Sequence, residues 1–296
     1  MKELIVISGK GGTGKTSIVA SFAALASKKV LADCDVDAAD LHLVLNPHIE
    51  YREDFSGGKK ARILEDSCIA CNRCIEECRF DAIHYPQTDD GAEAEVPNIN
   101  QIHCEGCGVC HRVCPADAIA FEPAVNGEWY VSTTNYGPMV HARLGMAEGN
   151  SGKLVTLVRK EARQIAEREA LDYIIVDGSP GIGCPVIASI TGADLVLVVT
   201  EPTLSGKHDL MRVSQLASHF RIPTLVCINK WDINPQISDD IEREARENGM
   251  KVAGKVRYDT AITKAQVMRT SVVEYTGGAV SEDIKTLWRN VVYALG

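Results

Sequence analysis

The chain has 296 residues, with 31 Lys and Arg against 40 Asp and Glu, and eleven cysteines. That length can bury a full core and divide into two domains, and the absence of any run of about 18 apolar residues excludes a transmembrane helix. Met1-Lys-Glu3 leads straight into a core strand without a signal-peptide pattern, so a cytoplasmic protein is expected. In a reducing compartment eleven cysteines point to metal or redox chemistry rather than a disulfide framework. The charge is unevenly placed. Glu65 to Glu122 holds 12 acidic and 3 basic residues, which accounts for the whole net charge of −9, and the rest of the chain is balanced at 28 of each. Such a segment does not suit nucleic acid; it is either a solvated surface or a face that steers a basic protein partner.

The apolar run Leu4-Ile-Val-Ile7 reads as a buried parallel strand. Gly9-Lys-Gly-Gly-Thr-Gly-Lys-Thr16 follows, and a helical pattern runs over Ser17 to Ala26. Strand, glycine loop and helix are the context of the phosphate loop G-x-x-x-x-G-K-[ST]. Gly9, Gly11, Gly12 and Gly14 let the backbone around Thr13 fold about a phosphate and turn its N–H groups inward. The helix start at Ser17 adds partial positive charge there. Lys15 is expected to reach the β/γ-phosphates and the Thr16 hydroxyl to hold Mg²⁺.

A second strand, Val30 to Asp33, runs into Asp33-Cys-Asp-Val-Asp37-Ala-Ala-Asp40. Four carboxylates in eight residues would be costly in a closed core. At the carboxyl edge of a parallel sheet they face the nucleotide and Mg²⁺; a solvated acidic turn is the competing reading for some of them.

The character then changes. Cys68-x2-Cys71-x2-Cys74-x3-Cys78 is repeated as Cys104-x2-Cys107-x2-Cys110-x3-Cys114, and the halves end alike in Asp81-Ala-Ile83 and Asp117-Ala-Ile119. This is the two-cluster bacterial ferredoxin pattern, in which the fourth cysteine of each run serves the other cluster. It implies one [4Fe–4S] cluster on Cys68, Cys71, Cys74 and Cys114 and a second on Cys104, Cys107, Cys110 and Cys78. Zinc knuckles are the alternative. Arg79 stands where the first run usually has proline, which sets a positive charge near a cluster. A unit whose ends lie close together can be inserted in a loop, so residues 65–122 are expected to interrupt a nucleotide domain formed by residues 1–64 and 123–296.

Trp129 to Lys153 is glycine-rich and has no clear period. Its His141 is read as a surface histidine, with metal ligation or partner contact as the alternative. Leu154 to Ala170 has a helical apolar face. Tyr173-Ile-Ile-Val-Asp177 is an apolar strand ending in the aspartate expected to bond an Mg²⁺ water, and Pro180-Gly181 forms a turn able to sense a γ-phosphate. Strands are predicted at 194–199, 224–228 and 252–256, and helices at 238–248, 261–273 and 281–294. The last helix carries Glu282 and Asp283 beside Lys285 and Arg289, so its apolar stripe is expected to pack on the sheet rather than bind anionic lipid.

The second lysine of the loop, Lys10, gives Lys10-Gly-Gly-Thr-Gly-Lys-Thr16. This resembles the deviant phosphate-loop ATPases of the MinD, ParA, Mrp and nitrogenase iron protein group, here with an inserted ferredoxin domain. The resemblance implies an α/β fold with a doubly wound, mostly parallel sheet. It also implies a homodimer formed on ATP binding, in which Lys10 reaches the partner subunit's nucleotide. Asp35 takes the place of the aspartate that orients the attacking water, and Asp40 falls near the Mg²⁺ shell. Ser179 stands where the group usually has proline. Cys184 lies at the offset where the iron protein has a cluster ligand, but a small buried thiol is the default reading. Asn229-Lys-Trp-Asp232 resembles the base-reading motif of GTPases, whereas in the MinD and Mrp group an Asn here contacts adenine. ATP is preferred and GTP stays open. The resemblance implies an Mg²⁺-dependent ATPase coupled to electron transfer, serving a protein electron donor or acceptor or a metallocluster client. The alternative is a positioning or scaffolding switch with a structural or redox-sensing ferredoxin part. Neither nucleic acid nor membrane is an expected partner.

Overall fold

The computed structural model describes residues 1–88, 91–145, 149 and 151–296; Met146, Ala147, Glu148 and Asn150 of the glycine-rich stretch lie outside the described residues. The chain forms two compact units. One comprises Met1–Glu53, Trp129–Arg143 and Ser151–Gly296, the other Asp54–Glu128 with Leu144–Asn150.

The larger unit is built on a nine-stranded sheet. Its strands are β1 (Lys2–Ser8), β2 (Lys29–Asp33), β3 (His48–Phe55), β4 (Gly127–Thr134), β5 (Gly137–Leu144), β6 (Tyr173–Pro180), β7 (Leu195–Thr200), β8 (Thr224–Asn229) and β9 (Lys251–Val256). The spatial order is β9-β8-β7-β1-β6-β2-β5-β4-β3. Neighbours from β9 through to β5 pair in parallel. Parallel strands need crossover helices, so the central strands are covered on both faces and read as continuous apolar runs. Along β1, alternation sends Leu4 and Val6 to one face and Ile5 and Ile7 to the other, and all four are fully buried.

The face of Leu4 and Val6 is packed by the Lys15–Leu25 helix, through Ile18, Val19 and Phe22, and by the C-terminal Ala279–Leu295 helix, through Ile284, Leu287, Trp288 and Val291. The Phe22 and Trp288 rings lie 4.9 Å apart between centroids. The C-terminal stripe is thus spent on the sheet, and no helix among the described residues is long and apolar enough to cross a membrane.

Three expectations change. The stretch after Trp129 forms the paired strands β4 and β5, joined by Asn135-Tyr136. Thr134 Oγ1 closes that connection by donating to the Gly137 carbonyl at 2.8 Å. The helix expected over 261–273 ends at Val267, because Arg269 is left-handed at φ 53° and a new short helix starts at Val272. The inserted unit begins at Asp54 rather than residue 65, because the Gly58–Ile63 strand pairs antiparallel with Ile119–Ala124.

His141 is a fourth correction. It is not a surface residue but sits on β5, 7% exposed, in register with Asp33. Its Nε2 is 2.9 Å from Ser132 Oγ, and its ring stacks on Tyr130. Burial, with nearby His42 as a smaller cause, pushes its pKa down to about 4. The unfolded chain takes up this proton near pH 6.5 and the folded chain near pH 4. Stability is therefore fully present above pH 6.5 and is lost as the pH falls toward 4, by about 3 kcal/mol from this group. The stability gap between wild type and His141→Gln, measured by urea unfolding, should narrow by about that amount between pH 7 and pH 4. A constant gap would mean that the imidazole titrates normally.

Candidate nucleotide site and cysteine cavities

The phosphate loop joins β1 to the Lys15–Leu25 helix at the carboxyl edge of the sheet. Gly12 and Gly14 take φ of 78° and 90°, open to glycine at little cost. A Cβ at Gly14 would also stand 2.3 Å from Asn229 Nδ2. No side chain caps the helix, so its first N–H groups are left for a ligand. Thr13 Oγ1 is buried without a hydrogen-bond partner.

Lys15 is 6% exposed and lies among carboxylates. Its Nζ is 2.6 Å from Asp177 Oδ1 on β6 and 3.3 Å from Asp35 Oδ2 just beyond β2. Thr16 Oγ1 donates to Asp177 Oδ2 at 2.8 Å. Fully buried Asp33 completes the group and accepts the N–H groups of Asp35 and Leu41. Burial disfavours the charge on Lys15, but Asp177, Asp35 and Asp33 outweigh it and hold the ammonium strongly protonated. Burial and the neighbouring Asp177 push the Asp33 carboxyl well up; burial raises Asp35 too, against the pull of Lys15. One ammonium facing three carboxylates leaves an excess of acceptors, the donor set that suits a divalent cation.

A cleft of about 710 Å³ opens over the loop. Gly11 to Ser17, Asp35 and Asp40 form one side, and Tyr258, Ile262, Thr263, Gln266 and Val267 form another. Gln266 reaches back to the loop, its Nε2 donating to Ser17 Oγ at 2.9 Å. Asp37 is exposed. Nothing local in the sequence marks the 258–267 wall, because it is brought in by a chain segment some 240 residues from the loop.

The Asn229-Lys-Trp-Asp232 segment braces the loop. Asn229 Nδ2 donates to the Thr13 carbonyl at 2.7 Å, and Lys230 Nζ donates to the Gly12 carbonyl at 3.0 Å. Asp232 Oδ1 accepts the Tyr258 N–H at 2.7 Å. Lys10 is held within its own chain, 2.8 Å from Glu201 Oε1 and 3.0 Å from Ser205 Oγ. The other Glu201 oxygen takes Lys230 at 3.1 Å. Glu201 carries no motif signal; it is found only because β7 ends beside β1. Next to the Pro180-Gly181 turn, Ser179 Oγ donates to the Cys34 carbonyl at 2.6 Å. Cys34 and Cys227 are buried, but Cys184, expected as a small buried thiol, is instead exposed, because it opens the Cys184–Ile190 helix rather than lying on its packed face.

In the smaller unit the eight motif cysteines surround two cavities. Cys68, Cys71, Cys74 and Cys114 line one. Cys78, Cys104, Cys107 and Cys110 line the other. These are the two sets that the crossed ferredoxin pattern implies. Among the described residues no group of His, Cys, Asp or Glu is gathered closely enough to hold a single ion. Each set rings a space instead, as four thiols would ring a cubane. Ala70 and Asn72 in the first run and Gly106 and Gly108 in the second all have left-handed φ, from 49° to 71°. For Ala70 and Asn72 that costs roughly 1 kcal/mol each. Such turns aim backbone N–H groups into a concavity of the kind that binds anionic clusters. The Ala118 N–H donates to Cys114 Sγ at 3.3 Å, and Ile63, Ile83, Ile99 and Ile119 supply an apolar lining. The residues present fit a [4Fe–4S] group in each cavity.

Residues 4–272 match the family model of the CobQ/CobB/MinD/ParA nucleotide binding domain. An uncharacterized protein of Methanocaldococcus jannaschii is 34% identical over 242 residues, 78% of this chain and 79% of that one. The septum site-determining protein MinD of Pyrococcus horikoshii, solved with Mg-ADP, superposes with a TM-score of 0.57 over 98% of this chain and 95% of that one, at 16% identity, a likeness of fold. Ferredoxin-3 of Rhodobacter capsulatus is 31% identical over 74 residues, 19% of this chain and 73% of its own length.

Replacing Lys15 by Ala should cost about 3 kcal/mol in urea unfolding of the nucleotide-free protein, because it strands three carboxylates with no counter-charge. Lys15→Ala/Asp177→Asn should recover part of that loss. Equal stability of Lys15→Ala and wild type would show that the ion pair is not formed in solution.

Proposed function

Since the chain belongs to the CobQ/CobB/MinD/ParA nucleotide-binding family, we propose that it is an Mg²⁺-dependent ATPase whose cycle is coupled to electron transfer through two [4Fe–4S] clusters. The observation that carries this reading is the joint presence, in one chain, of the Lys15–Asp177–Thr16 site and two cavities each ringed by four cysteines. When bound, each cluster supplies a one-electron couple.

At the nucleotide site, Lys15 exchanges its carboxylate partners for β/γ-phosphate oxygens, and Thr16 and Asp177 are the residues that would hold Mg²⁺. Loop N–H groups and the helix start stabilise charge on the phosphoryl oxygens. Asp35 takes a hydrogen bond from the attacking water and orients it; its raised pKa makes it a better proton acceptor than an exposed aspartate. Lys10 leaves Glu201 to serve a partner subunit's nucleotide, so that ATP favours a homodimer. Ser179 and the Pro180-Gly181 turn carry the loss of the γ-phosphate into β6. The 258–267 wall holds the base, with adenine preferred over guanine because Asp232, the carboxylate that would select guanine, accepts the Tyr258 N–H instead. The electrons serve a protein partner, either an enzyme to be reduced or a metallocluster client.

The test is anaerobic purification of the full chain with iron and acid-labile sulfide analysis. Electron paramagnetic resonance of the reduced protein, with MgATP and with MgADP, completes it. Eight irons per chain, two interacting clusters and a nucleotide-dependent potential are expected. Zinc in place of iron would overturn the electron-transfer reading; iron with potentials indifferent to nucleotide would leave a positioning switch with a structural ferredoxin part. Transfer of the cluster or its electrons to an apo-protein distinguishes the two kinds of client.

Lys10→Ala should still bind ATP but lose at least about tenfold in turnover, together with nucleotide-dependent dimerisation. Equilibrium dialysis, hydrolysis assays and light scattering read the three effects separately; unchanged turnover would remove the in-trans role.

A further inference from the structure

We propose that the two cysteine cavities are electronically unequal. The one lined by Cys78, Cys104, Cys107 and Cys110 is the lower-potential end, where an electron enters from a basic one-electron donor protein. This rests on the reading that both cavities hold [4Fe–4S] clusters.

The repeat makes the halves alike in backbone and in ligands, so a difference in potential must come from the other residues around each cavity. The charged residues that line the two cavities differ in sign. The charged side chain lining the first cavity is Arg73, whereas the second is lined by Glu77 and Glu105. Arg79 follows Cys78 in sequence but is not part of the second lining. Reduction adds one negative charge to a cluster. Two carboxylates beside it oppose that charge and one guanidinium favours it. An electron placed on the second cluster therefore runs downhill to the first.

The second cavity also has an open, sticky mouth. Phe80 and Val109 line it and stand 44% and 38% exposed, and Glu77 and Glu105 of the same lining are exposed too. An exposed apolar pair together with two exposed carboxylates, on a segment carrying the chain's whole net charge of −9, is complementary to a partner whose redox centre lies under a Lys- and Arg-rich surface. The step balances simply. The donor loses one electron and the second cluster gains it; that electron then passes to the first cluster, with no bond made or broken and no proton required.

Two measurements on the anaerobic, full-length holoprotein test this. In potentiometric titrations followed by electron paramagnetic resonance, the wild type should show two separated one-electron steps. Glu77→Gln/Glu105→Gln should raise the lower step and leave the upper one in place, changing the partition of one electron between the clusters by about tenfold, or 59 mV. Arg73→Gln should lower the upper step. Coincident steps in the wild type, or a double variant with both steps unmoved, would overturn the ordering. In stopped-flow reduction by methyl viologen radical cation at low salt, the double variant should be severalfold slower than wild type, while reduction by the dithionite anion is not slowed. Equal slowing by both, or none, would overturn the docking site. Protein lacking iron fails the underlying reading instead, and iron analysis of every sample separates that failure from these.

Discussion

The larger unit is organised around a single buried ammonium. Lys15 is held by Asp177 at 2.6 Å and by Asp35 at 3.3 Å, with Asp33 beside them. These groups arrive from three neighbouring elements: the loop after β1, the end of β2 and the middle of β6. They meet only because β2, β6 and β1 are adjacent and parallel, so that the strand ends carrying charge share one edge. The fold thus sets the chemistry, and the chemistry in turn constrains the fold, since an isolated lysine or an isolated carboxylate at this depth would be expensive. The excess of carboxylates over cations makes the resting site receptive to added positive charge.

Much of this was legible in the amino-acid order wherever neighbours in sequence are neighbours in space. The glycine loop, the strand ending in Asp177 and the two cysteine runs are local patterns, and their elements fall within a few residues of expectation. What escaped notice depends on long-range contact. Strands β4 and β5 carry no clean alternation because both faces of β5 are covered, and His141 looked like a surface residue for the same reason. The 258–267 wall and Glu201 carry no local signature at all. In the Asn229-Lys-Trp-Asp232 segment, the motif gives no hint that the Asn229 and Lys230 side chains reach the loop backbone and that Asp232 holds the Tyr258 N–H.

The smaller unit argues from symmetry. Ala70 matches Gly106, Asn72 matches Gly108, and Asp81 matches Asp117, with left-handed backbone at all six positions. A left-handed conformation that recurs at equivalent places, held by glycine in one half and by Ala70 and Asn72 in the other, signals a requirement of the loop itself rather than of its side chains. The same symmetry throws the charges around the cavities into relief, because there the two halves depart from one another.

Lys10 spends its resting state fastened to Glu201 and Ser205 of its own chain. A tether of that kind cannot be in two places. If its other destination is a neighbouring molecule's phosphate, each copy is idle until it meets another, and specific turnover climbs with the number of copies present. Abundance would then act as an input to the machine in its own right, separate from the supply of fuel.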